Sequence, residues 1–463
     1  MQLKEKLLAK LKPGSFLRSV VTIASGTVIA QIIAVLVSPL ITRLFTPEDM
    51  GIVASFIAIT TILGTIAAGR YELAIVLPET DKESNAVAFA GLIFSFIFSF
   101  ILTIVAIVFY KPLITVLKLQ GMAATWFYLI GFFILLTGFE LVLNRTAIRN
   151  AHFKVIATTQ ITQQISGSGI KIAFGFLHPG TIGLFIAHVL SQTARIARLS
   201  LGEFKIIFSK DNRPSIADIK YAFKRYKKFP LVSSWAGFMG TATIQLPVVL
   251  FTALFSSEIA GYYSLGHRIL TLPMALIGSS VANVFLERAA KSKDDDKELG
   301  RITSDIYKKL LLISSLIMSI VTFYGDILFP FVFGGNWLMA GKFAQWLSIW
   351  LVFQFAISPL SSIYTIKEKQ TENLIWNIIQ LAGTIFSIIL FMPIFSNSIN
   401  IVAVFAIANA LLYFFYAYRI HRILKIKHLQ FIKIIFMNCI SVFAGQWLFS
   451  FLLRLLISKI RGM

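Results

Sequence analysis

The sequence predicts an all-α integral membrane protein, and three observations carry that expectation. Of 463 residues, 57% are hydrophobic and 43 are phenylalanine. Only 14% are charged, against about 25% in an average soluble domain. Apolar runs of about 20 residues recur along the chain, each long enough to cross about 30 Å of hydrocarbon. Lipid cannot hydrogen-bond to the backbone, so such runs must be helices.

About twelve spans are expected, near 19–42, 51–69, 86–109, 122–144, 155–177, 181–200, 230–254, 259–286, 310–332, 339–365, 371–393 and 399–418. The opening stretch "MQLKEKLLAKLK" is basic and amphipathic and runs into a full-length span rather than a cleavable leader. The first span should therefore stay as an anchor. The net charge of +22 would suggest nucleic acid in a soluble protein. Here its placement sets topology. With the N-terminus inside, only Arg43, Lys111, Lys118 and Lys342 fall on outer segments, while Lys171 and Arg268 lie within spans. That asymmetry is the positive-inside pattern, so a cytoplasmic N-terminus is expected and a nucleic-acid partner is not. The single cysteine, Cys439, excludes an intrachain disulfide. A further apolar run at 434–453 ends in Arg454, Lys459 and Arg461. As a simple span it would leave these charges outside; a break at "FAGQW" would return them inside, and both arrangements stay open.

The spans fall into two sixes. The polar stretch around "NRPS" carries a dense run of lysine and arginine, and divides a first lobe, 1–201, from a second, 230–418, through a basic linker at 202–229. A basic loop and the extra apolar segment occupy 419–463. Each lobe opens with the same turn: "LFTPEDMG" joins spans one and two, and "LFSSEIAG" joins spans seven and eight. An even number of spans per lobe makes the lobes parallel repeats, as in transporters that work by alternating access.

The blocks "SPLITRLFTPEDMGIVASF", "GRYELAIVLP" and "GYYSLGHRILTLPMALIGSSVANVF" resemble those of Wzx-type polysaccharide flippases. These are the O-antigen and capsule repeat-unit transporters of the multidrug/oligosaccharidyl-lipid/polysaccharide exporter superfamily. The resemblance runs over at least residues 1–420 and is silent about the sugar. It implies a two-lobed exporter in a bacterial inner membrane that moves polyprenyl-diphosphate-linked oligosaccharides from the cytoplasmic to the periplasmic leaflet. A partner polymerase or ligase is implied by the same analogy.

Such a substrate needs a wet path with fixed cations, and ionisable residues within a membrane are functional hypotheses by default. Arg268, beside His267 and ahead of Pro273, sits far from either end of span eight. It either meets the diphosphate or sugar, or pairs with Glu258 or a carbonyl. Lys171 follows the polar string "TTQITQQISGSG", in which Gln160, Gln163, Gln164 and Ser168 give span five one wet face. Sugar hydroxyls or neighbouring helices would equally satisfy those amides. Arg70, with Glu72 close by, closes span two at an inner mouth that would attract an anionic head group. Arg145 and Arg149 close span four beyond Glu140 and more usually anchor a helix; Arg43 could lock its turn through Glu48 or Asp49. His188 and Gln31 are weaker candidates. Glu140 and Glu72 are the carboxylates available for ion coupling or for structure.

No Walker loop, His/Cys cluster or "HExxH" occurs, so neither ATP hydrolysis nor zinc chemistry is expected. No cofactor is expected, with H+ or Na+ coupling left open. Short outer connections argue against an enzyme. The competing expectations are a cation-coupled multidrug or small-molecule exporter, which requires an essential carboxylate, and, more remotely, a membrane sugar transferase.

Overall fold

The computed structural model describes residues 16–116, 125–177, 180–209, 212–395, 397–426 and 428–438. The basic N-terminal stretch, Lys118, Cys439 and the remainder of the segment expected at 434–453 lie outside them. Among the described residues there is no strand.

Twelve long helices follow one another: α1 Phe16–Leu44, α2 Pro47–Gly64, α3 Asp81–Val108, α4 Ile130–Arg149, α5 Phe153–Leu177, α6 Thr181–Ile207, α7 Ser234–Leu254, α8 Ser257–Lys291, α9 Asp296–Phe333, α10 Leu338–Ile357, α11 Gln370–Ile389 and α12 Ser398–Ile423. Nine of the described helical stretches are long and apolar enough to cross a membrane. They contain α1 to α4, α7 and α9 to α12. Helices α5 and α6 are as long but more polar, α5 because of its glutamine run, while α8 carries an uncharged apolar run at 269–286. A helix thus stands at each of the twelve expected spans.

The repeated turn has a local cause. Thr46 caps α2 with a full capping box, its hydroxyl accepting from the Asp49 amide at 3.2 Å while Asp49 accepts from the Thr46 amide at 3.1 Å. Pro47 occupies the first helical turn, where its missing N–H costs nothing. In the second copy the Ser256 hydroxyl accepts from the Ile259 amide at 3.3 Å. Both turns therefore use a small hydroxyl residue to satisfy a donor that the helix start leaves orphaned.

The chain forms two compact units, residues 1–261 and 262–463. The division falls within α8, so that α7, the first span of the expected second lobe, packs with the six before it. In the first unit, α2 and α7 meet through a hydrogen bond between the Ser55 and Thr252 hydroxyls. Gly26 of α1 packs closely on Ala157 of α5. Small residues of this kind let membrane helices approach, since lipid gives no hydrophobic drive for helix pairing. An aromatic cluster of Phe56, Trp126, Phe133 and Phe185 fills the space between α2, α4 and α6, Trp126 and Phe185 being stacked at 3.9 Å. In the second unit, Gly325 of α9 and Gly341 of α10 approach backbone to backbone. Tyr307, Tyr364, Tyr416 and Phe431 anchor its apolar core.

Polar ties fix the helix ends of the first unit. The Arg149 guanidinium donates to the carbonyls of Ile75 at 3.2 Å and Pro78 at 2.8 Å, and pairs with Asp81 at 3.2 Å. Glu203, fully buried on α6, receives Asn150 at 3.1 Å and His152 at 2.5 Å. The short helix Ile216–Arg225 opens with its own capping box, Ser215 with Asp218, and Asp218 also pairs with Lys82 at 3.0 Å.

Candidate functional site

A cavity of about 350 Å³ lies inside the first unit. Its wall is built from helical periodicity. On α2, Ile57, Thr60, Thr61 and Gly64 recur at three- and four-residue spacing and so share a face, with Thr65 at the helix end. Helix α4 contributes Phe133, Thr137 and Glu140; α6 contributes His188 and Gln192; α7 contributes Thr241. Thr65 and Thr241 close one edge through a hydroxyl hydrogen bond at 2.8 Å. His188 stacks on Phe133 with ring centroids 5.4 Å apart, and Lys171 of α5 is near enough to act on it electrostatically.

Arg70 lines the same cavity. After α2 ends, Gly69 and Arg70 both adopt the left-handed conformation, with φ of 58° and 59°. For a non-glycine residue that backbone costs about 1–2 kcal/mol. The strain aims the guanidinium across the wall and onto the backbone of Gly237 in α7, in space that any side chain at 237 would occupy. Glu72 lies behind it, 1% exposed, 3.7 Å from the Arg70 guanidinium. Burial pushes the Glu72 carboxyl above the ordinary carboxylate value, with its own backbone, Arg70 and Arg145 pulling the other way. Neither Glu72 oxygen has a hydrogen-bond partner among the described residues.

The cavity's other charges are paired. Glu140, 9% exposed, meets Arg195 of α6 at 2.6 Å. Arg195 also donates to Gln163 at 3.1 Å, and the Gln163 amide reaches Gln192 at 3.4 Å. One network therefore joins α4, α5 and α6. Arg195 and Gln192 are the site residues that sequence reasoning misses. Arg195 looks like one more inner-end anchor, yet His188, Gln192 and Arg195 recur at helical spacing, and that polar stripe was the available signal.

The remaining sequence candidates are dispersed. Gln160 accepts from Thr27 of α1 at 2.7 Å, and Gln164 donates to Ser168 of its own helix at 2.8 Å. The glutamine face thus makes bonds between and within helices. Gln31 is half-buried on α1. Arg145 is half-buried near Glu72, and Arg149 is spent on the loop ahead of α3. Arg43 is exposed, and it forms no ion pair with its turn among the described residues. Asp49 is instead taken by the cap and by the Thr181 hydroxyl at 2.7 Å. In the second unit, His267 is sandwiched between the rings of Tyr263 and Trp350, at 5.6 and 5.7 Å. Arg268 is exposed on α8, and no carboxylate pairs with it among the described residues.

No group of three His, Cys, Asp or Glu side chains that could hold a metal occurs among the described residues. The cavity offers one arginine held out by a strained backbone, a ring of hydroxyls and a compensated ion pair. It is suited to a polar, anionic group.

Comparison with known proteins agrees in family and fold. The teichuronic acid biosynthesis protein TuaB of Bacillus subtilis strain 168 is 19% identical over 229 residues, 50% of this chain and 46% of that protein. The match thus spans less than half of that relative. Among solved structures, the lipid II flippase MurJ in an inward closed conformation superposes with a TM-score of 0.67 at 18% identity, over 95% of this chain and 96% of its own. An inward-facing multidrug resistance MATE family transporter of the MOP superfamily gives 0.66 at 16% identity, over 91% and 98%. The fold is accordingly that of MOP-superfamily transporters, the architecture that the sequence resemblance implies. Residues 40–342 match the family model described as polysaccharide biosynthesis protein, so this multi-pass membrane chain belongs to that family.

Proposed function

We propose that the chain is a flippase that carries polyprenyl-diphosphate-linked oligosaccharide repeat units from the cytoplasmic to the periplasmic leaflet of a bacterial inner membrane, by alternating access. Arg70 is the observation that carries the reading. It is a cation in a strained conformation, seated on a glycine and lining a cavity rich in hydroxyls. An observed backbone outlier at a cavity points toward function. The cavity volume falls within the range of about 300–1,000 Å³ typical of ligand sites. Arg70 would receive the diphosphate, and the threonines would meet sugar hydroxyls. Lys171 and Arg268 would serve at other depths, with the Gln160 and Gln163 side of α5 keeping the path polar. The polysaccharide family and the transporter fold support a transporter rather than an enzyme.

A second reading, cation-coupled export of small molecules, is favoured by one observation: Glu140 is a buried carboxylate in the same wall. Its 2.6 Å pairing with Arg195 compensates that charge and leaves the cavity cationic, which supports the anionic substrate. The test uses purified protein in liposomes holding a labelled polyprenyl-diphosphate oligosaccharide. Wild type should expose the label to an external glycosidase, and Arg70→Ala should slow that exposure by tenfold or more. Transport of organic cations without movement of the labelled lipid would establish the second reading instead.

A further inference from the structure

A second candidate site belongs to the second unit. An apolar groove of about 390 Å³ runs between α8 and α9. On α8 it is lined by Ile277, Val281 and Val284, a spacing of four and three that puts them on one helix face. On α9, Ile306, Leu310 and Ile313 repeat that spacing. Leu310 is buried as the floor, while Val284 and Ile313 stand exposed as lips, at 51% and 38%. Two cations interrupt this apolar lining: Arg288 continues the α8 face one turn on, toward the connection to α9, and Lys309 stands on the α9 wall between Ile306 and Leu310. Both are exposed, and neither is paired with a carboxylate among the described residues.

We infer that this groove is a binding site for an anionic phospholipid of the inner leaflet, with Arg288 drawing the headgroup phosphate, Lys309 adding its charge from the α9 wall and an acyl chain laid along the helices. Three features select that occupant. Arg288 ends the α8 face on the side that the positive-inside asymmetry places at the cytoplasmic surface, where anionic lipids attract basic residues. The distance along α8 from Ile277 to Arg288 is about 16 Å at 1.5 Å per residue. That matches one leaflet of a hydrocarbon core about 30 Å thick, the reach of an ordinary acyl chain. Finally, the apolar lining offers no hydrogen-bonding group to a sugar, so the site differs in chemistry from the cavity around Arg70. Occupied, it would pin α8 to α9 at their inner ends.

The experiment is native mass spectrometry of the full-length protein extracted from nanodiscs containing equal amounts of phosphatidylglycerol and phosphatidylcholine. Wild type should retain phosphatidylglycerol preferentially. The R288Q/K309Q double variant should lose the preference, by about fivefold for each cation removed. Val284→Trp, which fills the groove, should lower retention of both lipids. Arg301→Gln, a cation already paired with Glu298 at 2.7 Å, should change nothing, and the charge-preserving exchange R288K/K309R should keep the preference. Equal retention of the two lipids by wild type overturns the inference, as does an unchanged preference in the double variant. So does an equal loss in Arg301→Gln, which would mean diffuse attraction. A lipid-free dimer, or displacement of phosphatidylglycerol by an equimolar polyprenyl diphosphate, would assign the groove to another copy or to the transported lipid and overturn it too.

Discussion

Gly51 and Gly261, the last residues of the two copies of the repeated turn, pack against each other backbone to backbone. A Cβ on Gly51 would overlap the Ser257 carbonyl and lie 2.7 Å from the Gly261 amide, and one on Gly261 would overlap the Pro47 carbonyl. The first turns of α2 and α8 thus approach as closely as two chains can. Each copy serves its own half twice, once through the hydroxyl that caps the following helix and once through the glycine that admits its counterpart.

Gly51→Ala and Gly261→Ala should therefore each destabilise the protein. Overpacking typically costs about 1–3 kcal/mol, and here the obstacle is backbone, which cannot rotate away. Thermal unfolding in detergent should show a lower midpoint for both. Gly240→Ala, at a site with nothing within 4 Å, should be neutral or stabilising by up to about 1 kcal/mol, because glycine is costly inside a helix. Equal midpoints for all three variants would contradict the packing.

Gly237→Val tests the Arg70 geometry without touching the arginine. The new side chain takes the space of the guanidinium, so Arg70 must leave the cavity wall. Transport should fall about as far as in Arg70→Ala, on the order of ten- to a hundredfold if one charge-assisted hydrogen bond of about 1.5–3 kcal/mol is lost. A variant with native abundance and native transport would remove Arg70 from the site.

The Glu140–Arg195 pair is expected to be structural. Removing either partner leaves a buried uncompensated charge, at a cost of about 3–5 kcal/mol, whereas replacing both with apolar residues is commonly near neutral. Glu140→Leu and Arg195→Met should each lower the unfolding midpoint, and the double variant should recover it together with transport. Recovery of stability without transport would make Glu140 a coupling carboxylate.

Arg268 has no carboxylate partner to lose among the described residues. Arg268→Ala should thus leave membrane abundance unchanged while reducing export strongly, and Arg268→Lys should retain part of it. Quantitative blotting alongside a surface-glycan assay reads both. Full export by the alanine variant would exclude a substrate role.

Asp218 sets a pH window for the helix Ile216–Arg225. The Ser215 amide, Lys82 and the Ser215 hydroxyl hold its carboxyl at about 2, below the ordinary 3.8. A carboxyl depressed on folding contributes stability that is complete above its unfolded value and lost as pH falls through the folded one. Amide protection across 216–225 should then be flat from pH 7 to about 4 and decline only toward pH 2. In Asp218→Asn it should already be reduced at pH 7. A decline in wild type beginning near pH 6 would contradict the assignment.

The spans were legible because lipid demands long apolar helices, and a helix stands at each expected position. The repeated turn was legible as a boundary, but a string of letters does not show that its glycines meet. Arg195 was hidden because arginine at the inner end of a span satisfies the charge rule by itself, and only the partner on α4 distinguishes it. The glutamine face was readable as wet. Which surface wetted it was not, since a helix wheel cannot tell a cavity from the hydroxyl of Thr27 or the guanidinium of Arg195. For Arg70 the decisive feature is a positive φ, which no periodicity reveals.

The most direct measurement is of lipid-linked oligosaccharide and surface polysaccharide in cells lacking this protein, complemented with wild type or with Arg70→Ala. The account predicts that the oligosaccharide accumulates on the cytoplasmic side while surface glycan is lost, and that wild type, but not Arg70→Ala, reverses both. Normal surface glycan in the deletion strain, with new sensitivity to cationic drugs, would contradict it.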